Sequence, residues 1–435
     1  MIGGPGAVHG EPTEASAPRD GGAASAREFR VSLARECGAS HSSNLTAESG
    51  ESGARDYDRT MVDFARSPRS TLGVEWELAL LDSRSLDLTP AAETLLADVA
   101  EHAPEYEKHI VGEMLTNTIE LVTGVHKQVS TVAEDLATSM GAVRKLTEAR
   151  GVELMSAGTH PFAQWQSQEV RAKDRYLELV DRTQWWGRNM LIFGVHVHVG
   201  IDSRDKVLPI VNALLAYVPH LQALSASSPF WGGTDTGYAS NRAMMFQQLP
   251  TAGLPFQFDE WADYEKYVDD MLTTGIIDNI NEIRWDIRPA PHWGTVEVRV
   301  CDGLPTLEEI LAITAFIQCL VDDMSERLDA GETLPTMPDW FHNENKWRAA
   351  RYGMDAIIIE NAEADERLVT ECLADEIERL SPVAERLGCA EELHSITSII
   401  ERGVPYQRLQ KVFGATGSLT EVTRSLISDL RNSYS

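Results

Sequence analysis

Hydrophobic and polar positions alternate with a period of two in several short stretches of this chain, and the polar positions carry unusual residues. In Gly73-Val-Glu-Trp-Glu-Leu-Ala-Leu80, Glu75 and Glu77 fall on one face of a strand, while Trp76, Leu78 and Leu80 fall on the other. In Gly194-Val-His-Val-His-Val-Gly200, His196 and His198 oppose Val195, Val197 and Val199. In Gly294-Thr-Val-Glu-Val-Arg-Val300, Glu297 and Arg299 oppose Val296, Val298 and Val300, and Glu120 sits in the apolar stretch Ile119-Glu-Leu-Val122. The pattern predicts a sheet with one apolar face for a core and one face of carboxylates and imidazoles.

The remaining periodicities fill in the architecture. Strands are predicted at 71–81, 117–123, 152–157, 192–201 and 294–301. A helix is predicted to open at Thr89-Pro-Ala-Ala-Glu93 with proline in its first turn. Another covers 130–150, where Val132, Leu136, Met140, Val143 and Leu146 recur at helical spacing, and a third covers 204–226. The stretch 228–258, dense in Pro, Gly and aromatics, reads as a long, ordered, functional loop. The longest apolar run, Ile310 to Val321, is too short to span a bilayer and follows the capping box Thr306-Leu-Glu-Glu309, which makes it a buried helix. Past residue 301 nearly everything reads as helical. The expectation is one α+β domain over 67–435 with helices packed on one face of the sheet.

Residues 1–66 are rich in Gly, Ala, Ser, Pro and Glu and carry few sizeable apolar groups. Burial there cannot offset the entropy of ordering, so the segment is expected to be a disordered extension. Met61 stands directly before Val-Asp-Phe-Ala-Arg-Ser-Pro, which allows either a later translation start or a dispensable tail.

Charge narrows the function. The chain has 435 residues and a formal net charge of −29, with 43% hydrophobic content that suffices for a large core. Nucleic acids and anionic membranes call for a basic footprint, so neither is an expected partner. The 5 cysteines are scattered without a Cys-x-x-Cys pair, and no signal peptide is visible, which together place the protein in the reducing cytoplasm. Cys301 follows the Glu297/Arg299 stretch but has no evident base beside it.

A single Glu-x-Glu on a strand is usually a solvated surface. Four such stretches with strongly apolar opposite faces are different, because crowding like charges on a half-buried surface is unfavourable unless cations neutralise them. Hard oxygen ligands with an imidazole suit Mg²⁺ or Mn²⁺ better than zinc.

At this point the chain resembles a known family, the bacterial type 2 glutamate–cysteine ligases, which are carboxylate–amine ligases of the glutamine synthetase superfamily. The resemblance runs from about Met61 into the C-terminal region. It rests on Gly73-Val-Glu-Trp-Glu-Leu78, Ala157-Gly-Thr-His-Pro-Phe-Ala163 and His196-Val-His-Val-Gly-Ile201. Ser228-Pro-Phe-Trp-Gly-Gly-Thr-Asp-Thr-Gly-Tyr-Ala-Ser-Asn-Arg242 and Trp285-Asp-Ile-Arg-Pro289 are its most specific segments. Gly294-Thr-Val-Glu-Val-Arg-Val-Cys-Asp302 and Asn345-Lys-Trp-Arg-Ala-Ala-Arg-Tyr-Gly353 complete it.

The resemblance implies a curved, mostly antiparallel sheet with Mg²⁺ ions and ATP on its concave face and helices on the convex one. It implies Glu75 and Glu77 as ligands to two metal sites, one completed by Glu113 and Glu120 and the other by His196 and Glu297. His198 stands where relatives in the superfamily often carry Asn, which makes it a substrate- or phosphate-side neighbour. Arg299 is the first choice for gripping the transferring phosphoryl group. Arg242, Arg284 and Arg288 are candidates for phosphate or substrate carboxylate, and Arg348 and Arg351 either reach the site or form surface ion pairs. The implied activity joins a carboxylate, the γ-carboxylate of glutamate, to cysteine or another amine through an acyl phosphate. A guanidino-type kinase is the enzyme rival, and a non-catalytic metal- or nucleotide-binding protein the rival from another class. The assembly state is left open, a homodimer included. No Walker-type glycine loop is present, so nucleotide would be held by metal and groove.

Overall fold

The computed structural model describes residues 62–434, and all positions given below belong to them. The alternating stretches form a seven-stranded sheet in which every neighbouring pair is antiparallel. Its strands are β1 (Leu72–Asp82), β2 (Ile110–Gly112), β3 (Thr118–Val122), β4 (Val152–Met155), β5 (Gly194–Gly200), β6 (Ile287–Ala290) and β7 (Thr295–Asp302). The order is β6-β7-β5-β1-β3-β2, and β4 pairs with the far half of β1. β1 is therefore the spine: its first half lies against β5, its second against β4, and its middle against β3.

The period of two sorts the two faces as predicted. Leu72, Val74, Trp76, Leu78 and Leu80 are buried in one core with Val195, Val197, Val199, Val296, Val298 and Val300. The helices Val129–Ala149, Val207–Leu214, Val218–Ser225 and Leu307–Asp329 bring their buried residues to that core. Trp76 is fully buried, and its indole N–H is satisfied by Ser156 Oγ at 2.8 Å, as a buried polar atom requires. The Leu307–Asp329 helix opens as its capping box predicts, with Thr306 Oγ1 accepting from the Glu309 backbone N–H.

Several elements differ from expectation, each for a local reason. The expected helix over 204–226 is interrupted by a tight turn at Leu215–Tyr217 and resumes at Val218, because Pro219 has no N–H to continue the ladder. That segment has a mean hydropathy of 1.5, but 83% of the apolar window lies inside the fold. The helix expected from Pro90 begins at Ala92. β6 contains Pro289, which hides it from a strand pattern; it survives because it is an edge strand bonded only to β7. The C-terminal region is not uniformly helical, since a hairpin of Ile357–Ile359 with Glu366–Leu368 interrupts it. The helices Asp174–Thr183 and Trp261–Thr273 lie in stretches to which no element was assigned.

The disorder expected for 1–66 and the alternative start at Met61 lie outside the described residues up to residue 61. Residues 62–66 depart from it. Val62 is buried with Tyr264, Val268 and Trp285, its N–H donates to Glu265, and Ala65 N–H donates to Pro291 O at 2.9 Å. Val62 in that cluster, Phe64 with its ring centroid 5.8 Å from that of Trp261, and these hydrogen bonds hold the short segment.

Candidate active site

Register, rather than sequence distance, assembles the polar face. Glu77 lies opposite Glu120, and Glu75 lies opposite His196. His198 lies opposite Glu297, which in turn lies opposite Arg288. A register shift in β7 between Val298 and Cys301 breaks the regular pairing at Arg299, whose backbone N–H instead donates to Asp286 O at 2.7 Å. Glu75, Glu77, Glu120, His196, Arg288 and Arg299 line a cleft of about 770 Å³, whereas His198 and Glu297 are not among its lining residues.

The hydrogen bonds centre on two carboxylates. Glu75 Oε2 is 2.9 Å from His196 Nδ1, and its other oxygen is 3.5 Å from His198 Nε2. Glu297, 1% exposed, accepts from Arg288 Nε at 2.7 Å and from Arg299 Nη1, with His198 Nε2 at 3.8 Å. His198 is held from behind by Thr295 Oγ1 at 2.8 Å. Arg299 Nε is buried without any partner, so this guanidinium keeps unused donor capacity after binding Glu297.

Electrostatics divide the acids into two populations. Burial alone would push Glu75 up, but the hydrogen bonds of His196 and His198, with the charge of His198, hold it below the usual carboxylate range. Glu297 is likewise held well below that range, because Arg299, Arg288 and His198 outweigh its burial. The other population is frustrated. Burial and the Glu113 charge push Glu77 up to about 7, and burial with the charges of Glu75, Glu113 and Glu77 pushes Glu120 well up. Glu113 is raised by burial too. Burial and the nearby Arg299 push His196 down to about 4, so it is a neutral imidazole, whereas Glu297 and Glu75 outweigh burial and raise His198.

Two donor groups fit a cation: Glu75 with His198 and Glu297, and Glu75 with Glu120 and His196, each with donor atoms within 4.8 Å of one another. Glu120, raised by burial and by the charges of Glu75, Glu113 and Glu77, is the member of these groups whose repulsion a divalent ion would relieve. These groups overlap the expected ligand sets only in part. Glu75 is shared, whereas Glu77 spends an oxygen on the Gly194 N–H at 2.5 Å, and His198 joins the ligand candidates. Glu113 lines the cleft but belongs to neither group.

The arginines separate as well. Arg299, Arg288 and Arg284 line the cleft, and Arg284 also donates to Glu282 O at 3.0 Å. Arg242 does not line it. It lies buried beneath the sheet's end, donating to the carbonyls of Arg299 and Val300, and only Gly194 leaves room for it, since a Cβ there would be 2.2 Å from its Nη2. Arg348 and Arg351 are away from the cleft. Arg348 pairs with Glu344 and Glu366, and Arg351 with the Gly237 carbonyl. Both are structural ties between a helix and its neighbours.

Sequence reading missed the supports and one wall. Asp302, wholly buried, accepts from Ser228 Oγ at 2.6 Å and Ser240 Oγ at 2.8 Å, pinning the loop that presents Arg242. Lys346 and Asp286 form a buried pair at 2.5 Å, both side chains 3% exposed, behind the carbonyl that holds Arg299. The missed wall is the helix Asp174–Thr183, which brings Arg175 and Arg182 to the cleft. Cys301 is a core residue: burial pushes its thiol up to about 12, far from thiolate chemistry.

A helix-backed antiparallel sheet whose open face gathers carboxylates, imidazoles and arginines around one cleft is the frame of a carboxylate-activating ligase. The family model described as Glutamate-cysteine ligase family 2 (GCS2) matches residues 71–425, and the chain belongs to that family. A relative from Arthrobacter sp. (strain FB24), named "Putative glutamate--cysteine ligase 2-1", is 57% identical over 377 residues, covering 85% of this chain and 98% of its own. One from Mycobacterium ulcerans (strain Agy99), named "Putative glutamate--cysteine ligase 2", is 56% identical over 386 residues, covering 88% and 97%. Among solved structures, a glutamate–cysteine ligase from Francisella tularensis in complex with AMP is similar in fold, with a TM-score of 0.61 at 14% identity, covering 86% of this chain and 90% of that one.

Proposed function

We propose that the protein joins the γ-carboxylate of glutamate to an amine at the expense of ATP, with cysteine as the nominal amine and other amines as alternatives. The observation that carries this reading is the pair of donor groups sharing Glu75 beside an arginine with unused donors. Family membership and the names of the relatives support the same reaction.

A carboxylate is a poor electrophile, and ATP activates it. A γ-carboxylate oxygen attacks the terminal phosphorus, ADP leaves, and an acyl phosphate forms. The amine then attacks the acyl carbon, phosphate departs with that carboxylate oxygen, and the ammonium proton is lost. The obstacle is bringing two anions together. Glu75, Glu120, His196, His198 and Glu297 are the residues that would hold Mg²⁺ or Mn²⁺, which when bound neutralises phosphate charge. Arg299 is fixed by Glu297 and lines the cleft, where its guanidinium would meet the phosphoryl oxygens and stabilise charge in flight. Arg288 fixes Glu297 from the other side. Neutral His196 presents a lone pair and adds no positive charge of its own.

The test is a phosphate-release screen of purified protein with ATP, Mg²⁺, glutamate and a panel of amines, with products identified by mass spectrometry. Free phosphate together with a γ-glutamyl amide is the expected result. A phosphorylated amine with no amide would instead make the protein a kinase.

A further inference from the structure

The helix Asp174–Thr183 turns a charged face to the cleft. Arg175, Glu178, Leu179 and Arg182 stand at helical positions i, i+3, i+4 and i+7, and all four line the cavity. Glu178 and Arg182 are one turn apart, in the order that favours an intrahelical ion pair. Elsewhere in this chain such i,i+4 spacing gives ion pairs, as at Lys266–Asp270 and Arg348–Glu344. Here it does not. Among the described residues neither Glu178 nor Arg182 makes a hydrogen bond or ion pair. In a chain with 67 acidic and 38 basic residues, a cleft-facing arginine without an acid partner is not explained by a shortage of acids.

The opposite wall completes the setting. Arg284 lines the same cavity, its hydrogen bonds go to the Glu282 carbonyl and Thr251 Oγ1, and the charge of Arg182 is felt at its guanidinium. Arg288 and Arg299, by contrast, are both committed to Glu297 on the sheet floor. The cleft thus has one end built for a reacting carboxylate and phosphate. A second set of charges remains: Glu178 and Arg182 have no ion-pair partner among the described residues, and Arg284 has only a 4.0 Å ion pair with Glu282 besides its hydrogen bonds to neutral oxygens.

We infer that Glu178, Arg182 and Arg284 form the recognition site for the α-amino-acid head of the substrate, the arginines taking its carboxylate and Glu178 its ammonium. This rests on the proposed ligase reading and adds to it the specificity for a zwitterionic head remote from the reacting carboxylate. It also gives the helix a function: it is a binding wall, and its exposed polar residues are not mere surface.

Truncated substrates test each contact separately. 4-Aminobutanoate keeps the ammonium and reacting carboxylate of glutamate but lacks the α-carboxylate, and glutarate lacks only the ammonium. In the wild type both should be poorer than glutamate in kcat/KM. Arg182→Ala should lower kcat/KM for glutamate about tenfold, the scale of one charge-assisted hydrogen bond, and leave 4-aminobutanoate unchanged. Glu178→Gln should do the same for glutamate against glutarate. Neither should alter the KM for ATP or the thermal midpoint, and Arg182→Lys should recover part of the loss. A raised KM for ATP in Arg182→Ala would reassign the site to the nucleotide phosphates and overturn the inference, as would unchanged discrimination in both variants. Equilibrium binding of glutamate, measured calorimetrically on the same proteins, separates the two readings. Wild-type binding that Arg182→Ala abolishes supports the head-group site even if no amide forms, and binding that survives both substitutions refutes it even if the ligase reaction is confirmed.

Discussion

The two faces of this sheet are made by the same strands and differ in almost every physical respect. On one, Trp76, Leu78, Val197 and Val298 are buried among helices, and each residue's interest is local: filling space and excluding water. On the other, one residue away in each strand, Glu77, His196, His198 and Glu297 crowd together, with some carboxylates held low and others pushed high. Stability is concentrated on the first face and unrelieved repulsion on the second. The lesson is that strand alternation separates the folding problem from the chemical one at a distance of a single residue.

The sharpest break in that comparison is Glu297→Gln. It removes the carboxylate charge that anchors both Arg288 and Arg299, so turnover should fall by about a thousandfold or more, and the thermal midpoint should fall too because two guanidiniums lose their buried partner. A steady-state assay beside a melting curve checks it. The converse is Leu78→Ala, next to Glu77 but on the packed face, which should lower unfolding free energy by about 2–5 kcal/mol yet leave turnover per folded molecule nearly intact. Denaturant titration with an active-site count would measure both.

A smaller effect sharpens the contrast further. Glu120→Gln removes one of the mutually repelling buried carboxylates, so metal-free protein should gain about 0.5–2 kcal/mol at neutral pH while ligase activity falls. A destabilised variant would show that the repulsion is already relieved by hydrogen bonds. A further effect concerns pH. His160, 1% exposed, lies within 2.9 Å of the Leu86 carbonyl through Nε2 and accepts from the Phe162 and Ala163 backbone N–H groups through Nδ1, which fixes a neutral ring. Burial pushes its pKa from 6.5 down to about 4. The unfolded chain takes up this proton first as pH falls, so its contribution to stability is full above pH 6.5 and is lost as pH falls toward 4. His160→Gln should therefore flatten the decline in thermal midpoint across that window.

The floor of the site was legible because β alternation writes it directly into the chain: Glu75, Glu77, His196 and Glu297 needed only a period of two and an apolar opposite face. What alternation could not show was pairing. Which carboxylate meets which histidine depends on register across β1, β5 and β7, so the sharing of Glu75 between donor groups and the entry of His198 appeared only in three dimensions. Arg242, Arg348 and Arg351 were picked out by motif and charge alone, and their partners proved to be carbonyls and surface acids. The arginines on the Asp174–Thr183 helix escaped although Tyr176, Leu179 and Val180 recur there at helical spacing and Arg175, Glu178 and Arg182 share a face; the helix is short and buries only Tyr176. β6 was hidden by Pro289.

The central claim is that the polar face activates a carboxylate by phosphorylating it. Glutamate carrying heavy oxygen in its γ-carboxylate tests this directly, by mass spectrometry of the phosphate released during amide formation with ATP. The account predicts that one labelled oxygen per turnover passes from glutamate into phosphate, because the oxygen that attacks phosphorus leaves with it. Amide formed with wholly unlabelled phosphate would contradict the acyl phosphate route and with it the role assigned to Arg299.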